Sequence, residues 1–193
     1  MRRFEYQRLI VAYHGCDQTV VEHVVLQRGE LQPSAERYDW LGKGIYFWEH
    51  GPQRAAEWAQ ERANLGKIQS PAVLGAIIQL GNCFDLLDTR YTEILTQAWP
   101  KFEKAWSSAG KPLPLNKSRD PRDVDKALRF RDCSLLNWTL DQMKSGGMEE
   151  FDSVRGLFQE GQTAFPDSEI RTRSHIQIAI RNPECIVGYF LPA

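Results

Sequence analysis

Apolar positions recur along the chain with two different periods. Leu9-Ile-Val-Ala-Tyr-His14 is a continuous apolar run closed by Gly15, which predicts a buried strand. Valines then stand at 20, 21, 24 and 25. That helical spacing predicts a helix over Thr19 to Gln27, with Thr19 as its N-cap and Gly29 as its stop. Gly42 to Trp48 predicts a glycine-punctuated aromatic strand, and Pro52 opens a helix over 53–64 that Gly66 ends. Val73 to Leu80 is a second continuous apolar strand, which Phe84-Asp-Leu-Leu continues beyond Gly81-Asn82.

From Thr92 to about Lys144 the pattern turns helical. Trp99, Phe102 and Trp106 share one helix face, Gly110-Lys-Pro-Leu-Pro-Leu is a loop, and Val124 to Met143 reads as a second helix. After Gly146-Gly147 strands return: Ser153 to Phe158, Ser174 to Ile180, and Cys185 to Leu191 beyond the Asn182-Pro183 turn signal. The pattern predicts one α+β domain over 1–193, with two small packed sheets and a helical insert at about 92–147.

Composition narrows the function classes. Hydrophobic residues make up 42% and charged residues 25% of the chain, and the formal net charge is -1. That excludes a whole-molecule field recruiting nucleic acid or an anionic membrane. The insert is locally basic, with nine Lys/Arg against four Asp/Glu between Lys101 and Arg131. Signs alternate there at Asp120, Asp123 and Asp125, which points to a solvated face and favours a protein over a nucleic acid as macromolecular partner. Cys16, Cys83, Cys133 and Cys185 lack metal-ligand spacing and are expected to be reduced thiols. The opening Met-Arg-Arg-Phe-Glu-Tyr-Gln-Arg has no apolar stretch behind it, and no run approaches the roughly 18 apolar residues of a membrane span. A cytoplasmic location without membrane contact is expected.

Two short motifs carry candidate chemistry. In Tyr13-His14-Gly15, the absent side chain of Gly15 lets a ligand approach a backbone N–H and C=O, the pair a primary carboxamide needs. His14 beside it can bond a ribose hydroxyl. In Gly42-Lys-Gly-Ile-Tyr-Phe47, Tyr46 offers a flat ring. The small residues Ala55, Ala56 and Ala59 on the following helix would let Trp58 face it across a pyridine-sized gap. Core packing is the competing reading for Tyr46 and Trp58. The chain contains no Walker or G-x-G-x-x-G loop, so neither a P-loop nor a dinucleotide-binding Rossmann unit is expected.

These two motifs, in this order and spacing, resemble the ADP-ribosyltransferase core shared by poly(ADP-ribose) polymerases and diphtheria toxin. Val73-Leu-Gly-Ala-Ile-Ile-Gln-Leu-Gly-Asn-Cys-Phe-Asp-Leu86 resembles the strand that follows in that family, and Ser153-Val-Arg-Gly-Leu157 a later one. The likeness covers about Leu9 to Leu87 and Asp152 to Leu191, and leaves the insert unmatched. It implies an ADP-ribosyltransferase-like split-sheet fold that uses NAD as substrate and requires no metal. His14 would hold the adenosine ribose, Gly15 would clamp the nicotinamide carboxamide, and Tyr46 and Trp58 would stack on its ring. The family's assisting serine is Ala55 here.

The family's third motif is a Glu at the start of a late strand, which stabilises positive charge on the ribose. By position Gln177 takes its place, with His175 two residues earlier at a substrate-loop position, giving a His-Tyr-Gln set. Glu160 is a second source of negative charge, or else a solvated turn residue. Arg155 on the preceding strand reads as a structural ion-pair partner, and Arg37 as a pyrophosphate contact or surface decoration. The function implied is NAD-dependent mono-ADP-ribosyl transfer to a macromolecule, with toxin or effector among its roles. An NAD glycohydrolase and an inactive NAD- or ADP-ribose-binding module are the alternatives.

Overall fold

The computed structural model describes residues 6–119 and 125–192, the side chains of residues 6 and 7 excepted. The amino-terminal Met1-Arg-Arg, Asp120, Asp123 and Val124, where the second insert helix was expected to start, lie outside the described residues, and that helix begins at Phe130. Among the described residues the fold is mixed α+β, with seven strands and four helices. In chain order these are β1 (Tyr6–Asp17), α1 (Gln18–Val25), β2 (Ile45–Glu49), α2 (Pro52–Asn64), β3 (Pro71–Gly81), β4 (Cys83–Asp85), α3 (Thr89–Ser108), α4 (Phe130–Ser145), β5 (Ser153–Phe158), β6 (His175–Ile180) and β7 (Ile186–Phe190). A short 3-10 turn at Pro183–Cys185 precedes β7.

The strands form one sheet in the order β4-β5-β6-β2-β1-β3-β7, antiparallel except for β4 against β5. Two separate sheets were expected, and the joint between the halves explains the difference. β1 and β2 pair only at Ala12–Glu49 and Tyr13–Trp48, whereas β1 and β3 pair along most of their length. No sequence signal announces so short a ladder. Only Asn82 lies between β3 and β4, yet β4 is the edge strand on the far side of the order. The sheet must therefore curl so that one nearly continuous strand serves both halves. Asp152 holds this corner: its carboxylate accepts from the Asn82 backbone N–H at 2.8 Å and from the Asn182 amide at 2.9 Å.

Alternation along the strands gives the sheet two buried faces. Ile10, Ala12, Ile45, Phe47, Leu74, Ile78, Ile178 and Ile180 pack beneath α1 with Val21 and Val24. On the other side Leu41, Phe84, Val154 and Ala179 meet Leu136 and Leu140 of α4, with Tyr46 packed against them. Phe47 and Phe84 are fully buried, and truncating either to Ala removes about 3–5 kcal/mol.

Local caps correct two predicted boundaries. α1 begins after Asp17, whose carboxylate accepts from the Thr19 N–H at 3.0 Å and from Gln69 and Ser70 of the next loop. These backbone donors hold the Asp17 carboxyl down at about 2. α3 starts at Thr89, ahead of Thr92, because Asp88 caps it. The stripe of Trp99, Phe102 and Trp106 forms as read, with Phe102 packing edge-on against Trp138 of α4. All four cysteines are buried free thiols.

Several basic residues of the insert are engaged internally. Arg129 pairs with Asp132 and lies over Phe158, Arg131 lies over Trp99, and Lys111 over Trp106. Among the described residues no helix is long and apolar enough to cross a membrane.

Candidate functional site

The principal cavity opens where β1 and β2 part. Past the Tyr13–Trp48 pair, β1 continues beside β3 and β2 runs back beside β6. His14 occupies the fork, and its Nδ1–H donates to the Tyr46 carbonyl at 2.8 Å. A carbonyl can only accept, so the proton sits on Nδ1 and Nε2 keeps its lone pair. Burial lowers the pKa of His14, which keeps the ring neutral and Nε2 an acceptor. Gly15 follows, beyond the last β1–β2 pair. A Cβ there would stand 2.3 Å from the Ala55 carbonyl and 3.2 Å from the Trp58 ring. The close approach that demands glycine is thus that of helix α2, where the sequence suggested a ligand.

The cavity has a volume of about 640 Å³, within the roughly 300–1,000 Å³ of small-molecule sites. Its walls bring together His14, Gly15, Tyr46, Trp58, Glu160, His175 and Gln177. Arg37 is not among them and is exposed. The guanidinium groups lining the cavity belong instead to Arg54, Arg62, Arg119 and Arg173.

Tyr46 is held at both ends. Its hydroxyl donates to the Gly42 carbonyl at 2.8 Å and accepts from the Leu41 N–H at 2.9 Å. Burial pushes its pKa well up, so it titrates in no ordinary range. The residue is therefore partly core, as the competing reading held, while it also lines the cavity. Trp58 reaches the cavity from α2, with its ring against Trp48 at 5.7 Å and the Arg62 guanidinium over it at 5.3 Å.

Strand β6 supplies His175 and Gln177 on one face, two residues apart. Gln177 pairs with Trp48 of β2 and Gly156 of β5. Its Oε1 accepts from the Trp40 indole N–H at 2.6 Å. The Nδ1–H of His175 donates to the Arg173 carbonyl at 2.7 Å, and its ring stacks on Phe158 at 5.4 Å. Burial lowers its pKa, and the nearby Arg54 charge adds to the effect. Nε2 of His175 is therefore also an acceptor. Among the described residues it is buried without a hydrogen-bond partner, as are the Trp48 indole nitrogen and Nε and Nη1 of Arg54.

Glu160 is not a solvated turn residue. Its carboxylate meets Arg54 at 2.9 Å with both side chains mostly buried. Arg54 also lies 3.6 Å from Glu57 and 3.8 Å from Glu61, and Arg173 pairs with Glu61. This ladder locks α2 to the end of β5 and the loop after it. Arg155 proves to be a structural partner: it holds Glu49 with two hydrogen bonds, at 2.6 and 3.0 Å, and Asp85 at 3.0 Å. Those bonds, Glu49 first, raise its pKa further.

Trp40, Trp48, Arg54, Arg62 and Arg173 were not singled out by sequence reasoning as cavity residues. Arg54 and Arg62 flank Trp58 at four-residue spacing, a same-face relation that places them beside it. Nothing local marks Trp40, whose partner lies 137 residues away.

No family profile matches the chain. A curated protein of Methanocaldococcus jannaschii, described as uncharacterized, is 23% identical over 192 residues, covering 90% of this chain and 83% of its own.

Proposed function

We propose that this chain is an NAD-dependent mono-ADP-ribosyltransferase, built on an ADP-ribosyltransferase-like core, with a protein as acceptor. One observation carries the reading. His14, Tyr46 and Gln177, picked out by three separate motifs, converge on a single cavity of NAD-compatible size together with Gly15 and Trp58. Tyr46 and Trp58 offer ring faces to a nicotinamide, and His14 Nε2 accepts from a ribose hydroxyl. Arg62 and Arg119 replace Arg37 as the groups facing a pyrophosphate.

Bound NAD supplies a glycosidic bond whose cleavage places positive charge on the ribose. Gln177 brings no charge to meet it, and Glu160 is already neutralised by Arg54. One missing preorganised contact of this kind costs about 3 kcal/mol, or 10²–10³ in rate. The site therefore suits slow, single transfers rather than chain elongation. The same two observations favour a second reading, a module that binds NAD or ADP-ribose without cleaving it.

Incubating the protein with NAD and assaying free nicotinamide separates the readings. Release that depends on added protein acceptor supports the transferase, and release without acceptor supports a glycohydrolase. Calorimetric binding without release supports the module, and no binding of NAD or ADP-ribose rejects all of them.

A further inference from the structure

We infer that Trp40 is a positioning residue that fixes the amide of Gln177 in one orientation, so that Gln177 turns its NH₂ group, a hydrogen-bond donor, toward its ligand. The ligand rests on the proposed use of NAD; the latch itself does not. An indole N–H can donate and cannot accept. The atom of Gln177 that it meets at 2.6 Å is therefore the carbonyl oxygen, which leaves the NH₂ group for the cavity. An amide without such a partner turns over freely and offers either end.

Trp40 is itself firmly placed. Its ring fills the space left by Gly156, where an added Cβ would come within 2.7 Å, and it packs edge-on against Phe158 at 5.2 Å. Its backbone is flanked by two anchors. Asp39 accepts from the Ser34 hydroxyl and the Glu36 N–H, and the Tyr46 hydroxyl binds Leu41 and Gly42. Tyr46 thus acts on Gln177 through Trp40, besides presenting its ring.

The consequence is chemical. The group that meets this NH₂ must present a lone pair: a hydroxyl, carbonyl or phosphate oxygen. Where that group is a ribose hydroxyl, its own proton stays free to donate elsewhere. A carboxylate at this position would accept that proton, so Trp40 sets the polarity of the contact.

The test exploits symmetry. A carboxylate has two equivalent oxygens and needs no latch to choose between them. Trp40→Phe keeps the ring and deletes the N–H. We expect it to weaken binding of NAD and ADP-ribose about tenfold, the scale of one lost hydrogen bond, and to change binding less than about twofold in the Gln177→Glu background. An equal loss in both backgrounds would show that Trp40 is only wall, and would overturn the inference.

A ligand-free readout stands beside this one. In the native protein the Trp40 indole proton should exchange with solvent at least about tenfold more slowly than in Gln177→Met, a variant of similar volume. Equal exchange rates would overturn the latch. If neither NAD nor ADP-ribose binds the native protein, the proposed function fails, and indole exchange alone decides the latch.

Discussion

Replacing Glu160 with Gln removes one charge and almost no volume, so its effect can be worked from the geometry. Glu160 and Arg54 meet at 2.9 Å with side chains 16% and 10% exposed. Removing one partner of a buried pair costs about 3–5 kcal/mol when the other charge is left alone. Arg54 is not left alone: Glu57 at 3.6 Å and Glu61 at 3.8 Å remain. Both are about one-third exposed, so solvent screening discounts what they return. The net expectation is a loss of about 2 kcal/mol. In a chain of this size each kcal/mol moves Tm by about 2–4 °C, so thermal unfolding should show Glu160→Gln melting roughly 4–8 °C below the native protein. Adding Arg54→Met should recover part of that loss, because no buried charge is then left uncompensated. Nicotinamide release per folded molecule should fall less than about tenfold, since the carboxylate is already engaged. An unchanged Tm would refute the buried ion pair. A loss in rate beyond about 10²-fold would refute the claim that its charge is neutralised.

Gly15→Ala should cost about 1–3 kcal/mol as an overpacking substitution, read by denaturant unfolding, because the new methyl meets the α2 backbone at Ala55; unchanged stability would mean α2 can shift freely. Tyr46→Phe keeps the ring but deletes two backbone contacts, so it should weaken ADP-ribose binding by roughly the tenfold of Trp40→Phe without abolishing it; a complete loss would assign the hydroxyl a direct role. His14 and His175 have folded pKa values below their ordinary 6.5, so the unfolded chain takes up protons first. Their contribution to stability is full above about pH 6.5 and is lost as pH falls through the lowered folded values; denaturant midpoints that stay level on acidification to about pH 5 in the native protein and in His175→Asn alike would contradict this.

Much of the framework was legible because burial leaves a one-dimensional trace. Continuous apolar runs marked β1 and β3, alternation marked the His175 and Gln177 face of β6, and the Trp99, Phe102, Trp106 stripe marked α3. What escaped depends on pairs distant in sequence. Glu160 read as a source of negative charge or a turn residue, and not as half of a buried ion pair, because Arg54 lies 106 positions away. The close approach of α2 over Gly15 was missed because the Ala55 carbonyl above it leaves no local signal. The single curled sheet was missed because its halves are joined by two residue pairs, too few to pattern the sequence. Arg37 was chosen from its neighbours, whereas cavity lining is decided by which helix face turns inward.

The corner at Asn82 bears on how this chain tolerates changes of length. One added residue there would reverse the side-chain alternation of β4 and turn Phe84, fully buried among Tyr91 and Phe151, away from its neighbours. It would also pull Asn82 off Asp152. The connection between α3 and α4 is tied in as well: Lys117 and Leu128 exchange backbone hydrogen bonds at 2.9 Å, and Asp125 accepts from the Gly161 N–H at 2.6 Å. Homologous chains should therefore keep the spacing from β3 through β4 unchanged.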